Sequence, residues 1–274
     1  MKAVFSILNG EKTQENVVNS NRGLDFADGL FETIIINKGE IRFLKGHFQR
    51  LMKGFQLLGF EPKTFFTDFR DFEYYFLKIT TDFLNRQETL RLKLKVWRKG
   101  EGAYQSLESD FEWMIQAFAF EKPKTYIKEY LGFSSFKPQD VAFEGCKTLS
   151  ALGYVLASNE AKRNNWDDAV LRDCSGNISE LSSSNLFWVK NGKVFTPSLK
   201  TGCVEGVMRG QVIKLLETLS IEVLEVFEQK DKFLGAESVF ACNVLGVFEI
   251  KSIENQKFSA HELVKKLQES LCIT

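Results

Sequence analysis

Histidine is almost absent from this chain: His47 and His261 are the only two in 274 residues. That removes most zinc sites and every histidine-based triad built on several imidazoles. Proton transfer, if the chain is an enzyme, falls to lysine and the carboxylates. Charge of one sign is missing too, since 36 basic side chains balance 36 acidic ones. Nucleic-acid and membrane-surface binders carry a basic excess, so neither partner is expected. No run approaches the roughly 18 apolar residues of a membrane-spanning helix. The apolar start Met1–Leu8 meets Asn9-Gly10 at once, too soon for a signal peptide, and reads as a strand entering a turn. Five cysteines, an odd number with no C-x-x-C pair, fit a reduced, cytoplasmic setting. Prolines number four, and no internal repeat or low-complexity tract is present.

What remains is the composition of an ordinary globular protein, 44% hydrophobic and 26% charged, long enough for one large domain or two modest ones. Leu30–Asn37 is apolar and β-branched, Asn37-Lys38-Gly39 is a turn signal, and Ile41–Phe43 pairs back. Helical spacing places Leu51, Phe55 and Leu58 on one face of a helix over His47–Leu58, and a second, phenylalanine-rich helix covers Phe65–Leu84. Between Thr89 and Trp97 the alternation is strict: Arg91, Lys93 and Lys95 against Leu92, Leu94 and Val96. That is a half-exposed strand, with Glu112–Phe120 beside it. The charged, proline-containing Glu121-Lys122-Pro123-Lys124 reads as a linker, giving lobes at 1–120 and 125–274. Beyond it strands are expected at Tyr130–Phe136, Ala169–Asp173, Asn185–Val189, Val194–Thr196, Ile221–Phe227, Ser238–Cys242 and Val247–Ile253. Helices are expected at Ser150–Asn164, at Val207–Leu219 and from Ser259 onward. The mixture is α/β (α+β).

Five segments hold residues able to carry chemistry, each with a bland reading of its own. Lys147, in Gly145-Cys146-Lys147-Thr148-Leu149-Ser150, is read most simply as a solvated loop lysine; a catalytic role needs its amine neutral. Glu180 lies in Asn177–Asn185, which reads alone as a polar turn whose serines satisfy backbone groups. Gly206-Val207-Met208-Arg209 opens a helix, and a helix N-terminus can seat a phosphate, though many bind nothing. Arg50, three residues after His47, reads equally as a surface arginine. Arg22-Gly23 through Asp28-Gly29-Leu30-Phe31-Glu32-Thr33 is a turn-rich entry into a strand.

Taken in order, these segments resemble the class IV aminotransferases, the fold type IV pyridoxal-5′-phosphate (PLP) enzymes, across nearly the whole chain. The resemblance also rests on Ser184-Asn185-Leu186-Phe187-Trp188-Val189-Lys190 and Thr196-Pro197. It implies a two-lobed fold, with a smaller N-terminal α/β lobe and a larger C-terminal, mostly β pseudo-barrel lobe with helices. It also implies PLP as cofactor and no metal. Lys147 would hold PLP through its amine and, once freed, move the substrate's proton. Glu180 would face the pyridine nitrogen and keep it protonated. Arg50 and the Val207 and Met208 N–H groups would take the phosphate, Val204 would pack on the ring, and Asn243 and Val244 would add a phosphate contact. Phe31, Arg98 and Tyr104 fall on the substrate side. Such enzymes place the cofactor close to a homodimer interface, so a homodimer acting on a small molecule is expected.

The shared machinery serves branched-chain transaminases, D-amino-acid transaminases and 4-amino-4-deoxychorismate lyases. Asn185–Trp188, Gly206–Arg209, Cys242-Asn243-Val244-Leu245 and Trp97–Tyr104 look most like lyase segments, which implies folate biosynthesis. Two departures stand out. Gly102-Ala103 occupies the place where a loop arginine usually precedes the tyrosine, so the substrate carboxylate must find another cation, such as Arg98 or Lys99. Ser150 stands where the family often has asparagine, three residues after the lysine. Arg98 is read equally well as one more basic residue at the end of its strand.

Overall fold

The computed structural model describes residues 5–13, 21–84, 89–106, 108–136, 143 and 145–273. The chain divides into two compact units, Met1–Lys122 with Cys146–Ser150, and Pro123–Gly145 with Ala151–Thr274. Each mixes helices with sheet.

In the first unit an antiparallel six-stranded sheet has the order β2-β1-β6-β5-β3-β4. Its strands are β1 (Phe5–Leu8), β2 (Glu11–Lys12), β3 (Gly29–Asn37), β4 (Glu40–Ile41), β5 (Leu90–Arg98) and β6 (Phe111–Ala119), and a one-turn helix, α1 (Arg22–Asp25), leads into β3. Residues 1–4 of the expected N-terminal strand lie outside the described residues. Alternation sends Leu30, Ile34, Ile36, Leu90, Leu92, Leu94 and Val96 to one face, where helices α2 (Leu44–Leu58) and α3 (Phe69–Leu84) cover them. Phenylalanine dominates this core: Phe55, Phe66, Phe72, Phe76 and Phe111 are fully buried. The phenylalanine-rich helix begins later than its spacing suggests. Phe65 and Phe66, both buried, lie in a 3₁₀ turn at Thr64–Phe66 that precedes α3.

The second unit carries two mixed sheets. One has the order β10-β9-β8-β16-β17, built from β8 (Leu131–Phe133), β9 (Asp168–Arg172), β10 (Ile178–Leu181), β16 (Ser252–Ile253) and β17 (Gln256–Lys257). The other has the order β13-β12-β11-β14-β15-β7, from β7 (Ile127–Lys128), β11 (Asn185–Lys190), β12 (Lys193–Pro197), β13 (Val223–Val226), β14 (Ser238–Asn243) and β15 (Gly246–Ile250). Residues of both sheets, among them Leu131, Val170, Ile178, Leu186, Trp188, Val239 and Ile250, form one apolar core. Helices α4 (Leu152–Arg163), α5 (Val207–Thr218), α6 (Lys230–Leu234) and α7 (Glu262–Leu271) complete the unit. The single strand expected over Val247–Ile253 is two, because β15 and β16 serve different sheets.

Two departures concern the candidate site. Glu180 sits within a strand, β10, and is buried; no polar turn holds it. The segment Cys146–Ser150, expected in the C-terminal lobe, packs with the first unit. Hydrogen bonds from Phe31 N to the Lys147 carbonyl and from Leu149 N to the Gly29 carbonyl, each 2.9 Å, dock it beside β3. None of the five cysteines, all among the described residues, forms a disulfide.

Candidate active site

Lys147 owes its position to that docking. Thr148 pairs with Leu30 in an antiparallel bridge, so the Lys147 side chain projects over the outer face of β3. Its Nζ stands 4.6 Å from the centroid of the Phe31 ring. The glycine of Asp28-Gly29 makes the docking possible. A Cβ at Gly29 would fall 2.2 Å from the Val96 carbonyl oxygen and 2.8 Å from Leu149 Cδ1, closer than any side chain tolerates.

On the opposite face of β3, under α2, lies a buried ionic cluster. Glu32 Oε1 accepts from Arg50 Nε at 2.8 Å, and Oε2 accepts from Arg50 Nη2 at 2.5 Å and from His47 Nδ1 at 2.7 Å. Burial opposes ionisation of Glu32, but the Arg50 charge and the hydrogen bonds from His47 and Arg50 prevail and bring its pKa to about 2. His47 shifts downward: burial favours neutral imidazole, Glu32 opposes it, and the charges of Arg50 and Lys147 add to the burial effect. Since a carboxylate only accepts, neutral His47 carries its proton on Nδ1. The i, i+3 spacing of His47 and Arg50 puts both on the β3 side of α2. Sequence reasoning singled out His47 and Arg50 but missed Glu32, whose signal was a lone acid in an apolar strand.

Asp28 organises the neighbouring loops. Its Oδ2 accepts from Arg22 Nε and Arg98 Nε, both at 2.9 Å. Arg22 also donates to the carbonyls of Ala103 and Tyr104, and Arg98 to those of Glu108 and Leu58. Arg98 is thus a clamp between loops. Tyr104 has 89% of its surface exposed, with its ring edge against Phe26 at 5.5 Å. These residues line a cavity of about 560 Å³; Lys147 and Phe31 are not part of its wall.

In the second unit, buried Glu180 is held by three donors. Tyr154 Oη donates to Oε1 at 2.6 Å, Val204 N to Oε1 at 3.1 Å, and Asn185 Nδ2 to Oε2 at 3.3 Å. Burial and the adjacent Glu180 charge drive the Tyr154 phenol far above its ordinary pKa, so it remains a donor. Asn185 Nδ2 also donates to the Val204 carbonyl at 2.7 Å, tying β11 to the loop before α5. A Cβ at Gly206 would lie 1.9 Å from Asn185 Oδ1, so only glycine fits there. As N-cap of α5, Gly206 offers no side-chain acceptor, and the first turn holds no acidic residue. The Val207 and Met208 N–H groups therefore suit an outside anion. Asn243 donates to the Ser183 carbonyl and to Ser184 Oγ while accepting from Leu245 N, which shapes the turn holding Val244. Asp168 accepts from Ser182 and Ser183 Oγ and from Lys128 Nζ, fixing the turn after β10. Tyr154 and Asn185 were not anticipated as partners of Glu180, because nothing local in sequence joins them.

The donor set suits PLP chemically. An amine stands against an aromatic ring, a rigidly held carboxylate can face a pyridine nitrogen, and an uncapped helix N-terminus can take a phosphate. Among the described residues no group of three or more His, Cys, Asp or Glu could hold a metal, and no helix is long and apolar enough to cross a membrane.

The comparisons agree with this chemistry. The family model for class IV aminotransferases matches residues 29–253. The chain belongs to the class IV aminotransferase family and is a PLP-dependent enzyme. It is similar to the aminodeoxychorismate lyase of Vibrio harveyi, 26% identical over 94% of this chain and 96% of that one. It is as similar to the D-alanine aminotransferase of Bacillus licheniformis, 26% identical over 99% and 96%. The fold matches the branched-chain aminotransferase of the thermophilic archaeon Thermoproteus uzoniensis, with a TM-score of 0.85, 22% identity, and 98% of this chain and 93% of that one covered.

Proposed function

We propose that the chain is a 4-amino-4-deoxychorismate lyase, releasing pyruvate and 4-aminobenzoate for folate synthesis, and that it works as a cytoplasmic homodimer. The observation that carries this reading is the meeting of three of its four lyase-like segments at Asn185. That residue pairs with Cys242 across strands, packs against Gly206 and donates to Glu180.

When bound, PLP supplies an electron sink for the carbon that bears the substrate amine. Lys147 would hold the cofactor through its amine and, as a free amine, would take the proton from the substrate ring carbon that carries the amino group and return it to the departing enolpyruvate, giving pyruvate. Loss of that proton and of the bond from the neighbouring ring carbon to the enolpyruvyl oxygen leaves an aromatic ring. Glu180, oriented by Tyr154, Val204 and Asn185, would face the cofactor's ring nitrogen and keep a proton there. Arg50 and the Val207 and Met208 N–H groups would bind its phosphate, with Asn243 and Val244 nearby, and Val204 would pack on its ring. Phe31 would border the substrate beside Lys147, whereas Tyr104 lines the separate cavity beside Asp28 and Arg98. Arg98 acts by holding the Tyr104 loop through Asp28.

The test is pyruvate release from aminodeoxychorismate by PLP-loaded protein, with Lys147→Ala as control. Release that vanishes in the variant supports the lyase. A second reading, a transaminase of a D- or branched-chain amino acid, draws on the equal likeness to D-alanine aminotransferase and on Ala103 in place of a loop arginine. No pyruvate, together with loss of the cofactor's visible absorbance on adding an amino donor, would establish it instead.

A further inference from the structure

One of the three donors to Glu180 comes from a helix rather than from the sheet or a loop. Tyr154 lies in the first turn of α4. Its ring packs, with Trp166, against the small cluster Ala157, Ala161, Ala169 and Leu171, where α4 lies on β9. Tyr154, Ala157 and Ala161 follow the i, i+3, i+7 spacing of one helix face. One turn further on, Ser158 Oγ stands 3.0 Å from Ser182 Oγ, and Ser182 donates to the buried Asp168. The helix is thus fastened near β10 at two points, Glu180 and Ser182. Removing the phenol oxygen alone leaves both the ring and the helix held.

The phenol contact is the shortest of the three, 2.6 Å against 3.1 Å from Val204 N and 3.3 Å from Asn185 Nδ2. At that length a phenol on a carboxylate makes a charge-assisted hydrogen bond. Asn185 Nδ2 is longer and is shared with the Val204 carbonyl, so Tyr154 is the stronger side-chain donor. Ionisation does not remove it, because burial and the Glu180 charge hold the phenol far above its ordinary pKa. Cys203, beside Glu180, also stays neutral, pushed up to about 12 by burial and the same charge. Arg209 on α5 pairs with Glu225 on β13 and donates to the Pro197 carbonyl.

A buried carboxyl set against a basic ring nitrogen can hold their one proton in two ways. Either a carboxylate faces a cationic ring, or a carboxylic acid faces a neutral one. Burial favours the second arrangement, which has no charges to desolvate. Donors to the carboxylate favour the first, because hydrogen bonds to the ionised form stabilise it. The balance between the two decides whether the ring can act as an electron sink.

We infer that Tyr154 is a positioning residue for this chemistry: its hydroxyl holds Glu180 as the carboxylate, so that the shared proton stays on the cofactor's ring nitrogen. Tyr154 acts through Glu180, and the inference rests on the reading that Glu180 faces that nitrogen.

Nitrogen NMR of protein loaded with PLP isotope-labelled at its ring nitrogen tests the inference, at neutral pH, in wild type, Tyr154→Phe, Glu180→Gln and the double variant. The chemical shift separates a protonated from a neutral ring nitrogen, and Glu180→Gln supplies the neutral reference because an amide has no acidic proton to give. A charge-assisted hydrogen bond is worth a factor of about ten or more. Tyr154→Phe should therefore lower the ratio of ring-protonated to carboxyl-protonated protein about ten-fold, moving its shift from the wild-type value toward that of Glu180→Gln. It should still melt and load PLP as wild type does, since the ring keeps its packing. In the double variant the shift should equal that of Glu180→Gln alone. A Tyr154→Phe shift equal to wild type overturns the inference, and so does a displacement of the same size in the Glu180→Gln background. A neutral ring nitrogen in wild type sinks the placement of Glu180 against the ring, whereas a protonated one that ignores Tyr154→Phe sinks the role of Tyr154 alone.

Discussion

Replacing Glu32 by glutamine tests the buried cluster beneath β3. In the fold this carboxyl titrates near 2 against an ordinary value of 4.5. A depression of that size corresponds to about 3 kcal/mol of stability at neutral pH. An independent route gives a similar figure, since removing one partner of a buried ion pair costs about 3–5 kcal/mol. Because the folded pKa is lowered, the contribution is complete above about 4.5 and is lost as pH falls through about 2. Glu32→Gln should therefore lower the melting temperature by roughly 6–12 °C at pH 7. The gap to wild type should narrow steadily below pH 4.5 and close near pH 2. Thermal and urea melts across that range read both effects. A loss below about 1 kcal/mol at pH 7, or a gap that ignores pH between 2 and 5, would refute the assignment of Glu32 as the ionised partner of Arg50 and His47.

Three further substitutions probe how the site is held. Gly29→Ala forces a Cβ into the Val96 carbonyl and Leu149; it should cost about 1–3 kcal/mol and weaken PLP loading, both read by melts and visible absorbance. Gly206→Ala should drive Asn185 off Glu180 and Val204, raising the free PLP needed for half-loading by about ten-fold; unchanged loading would contradict the role given to the α5 N-terminus. Glu180→Ala should still take up PLP through Lys147 but turn over roughly 10²-fold more slowly or worse. Wild-type turnover in that variant would remove Glu180 from the mechanism.

The elements most legible in sequence were those whose pattern is local. The strict alternation Arg91–Val96 marks β5 because one face is core and the other is not. The glycines at Gly23, Gly29 and Gly206 and the His47–Arg50 spacing mark positions where backbones or charges meet closely. What stayed hidden depends on distant partners. Ser179-Glu180 looks like a turn because its residues are polar, yet Tyr154, Val204 and Thr201 satisfy them and allow a buried strand. The docking of Cys146–Ser150 beside β3 rests on backbone hydrogen bonds, which no side-chain pattern reveals. Lys93 read as an exposed strand lysine until the position of Phe31 placed Lys147 around the same ring.

That shared ring also sets the most direct test. Borohydride reduction of PLP-loaded protein fixes the cofactor to the lysine that holds it, and peptide mass mapping identifies which one. The account predicts the label on Lys147 and its complete loss in Lys147→Ala; a label on Lys93, or on any other lysine, would contradict it.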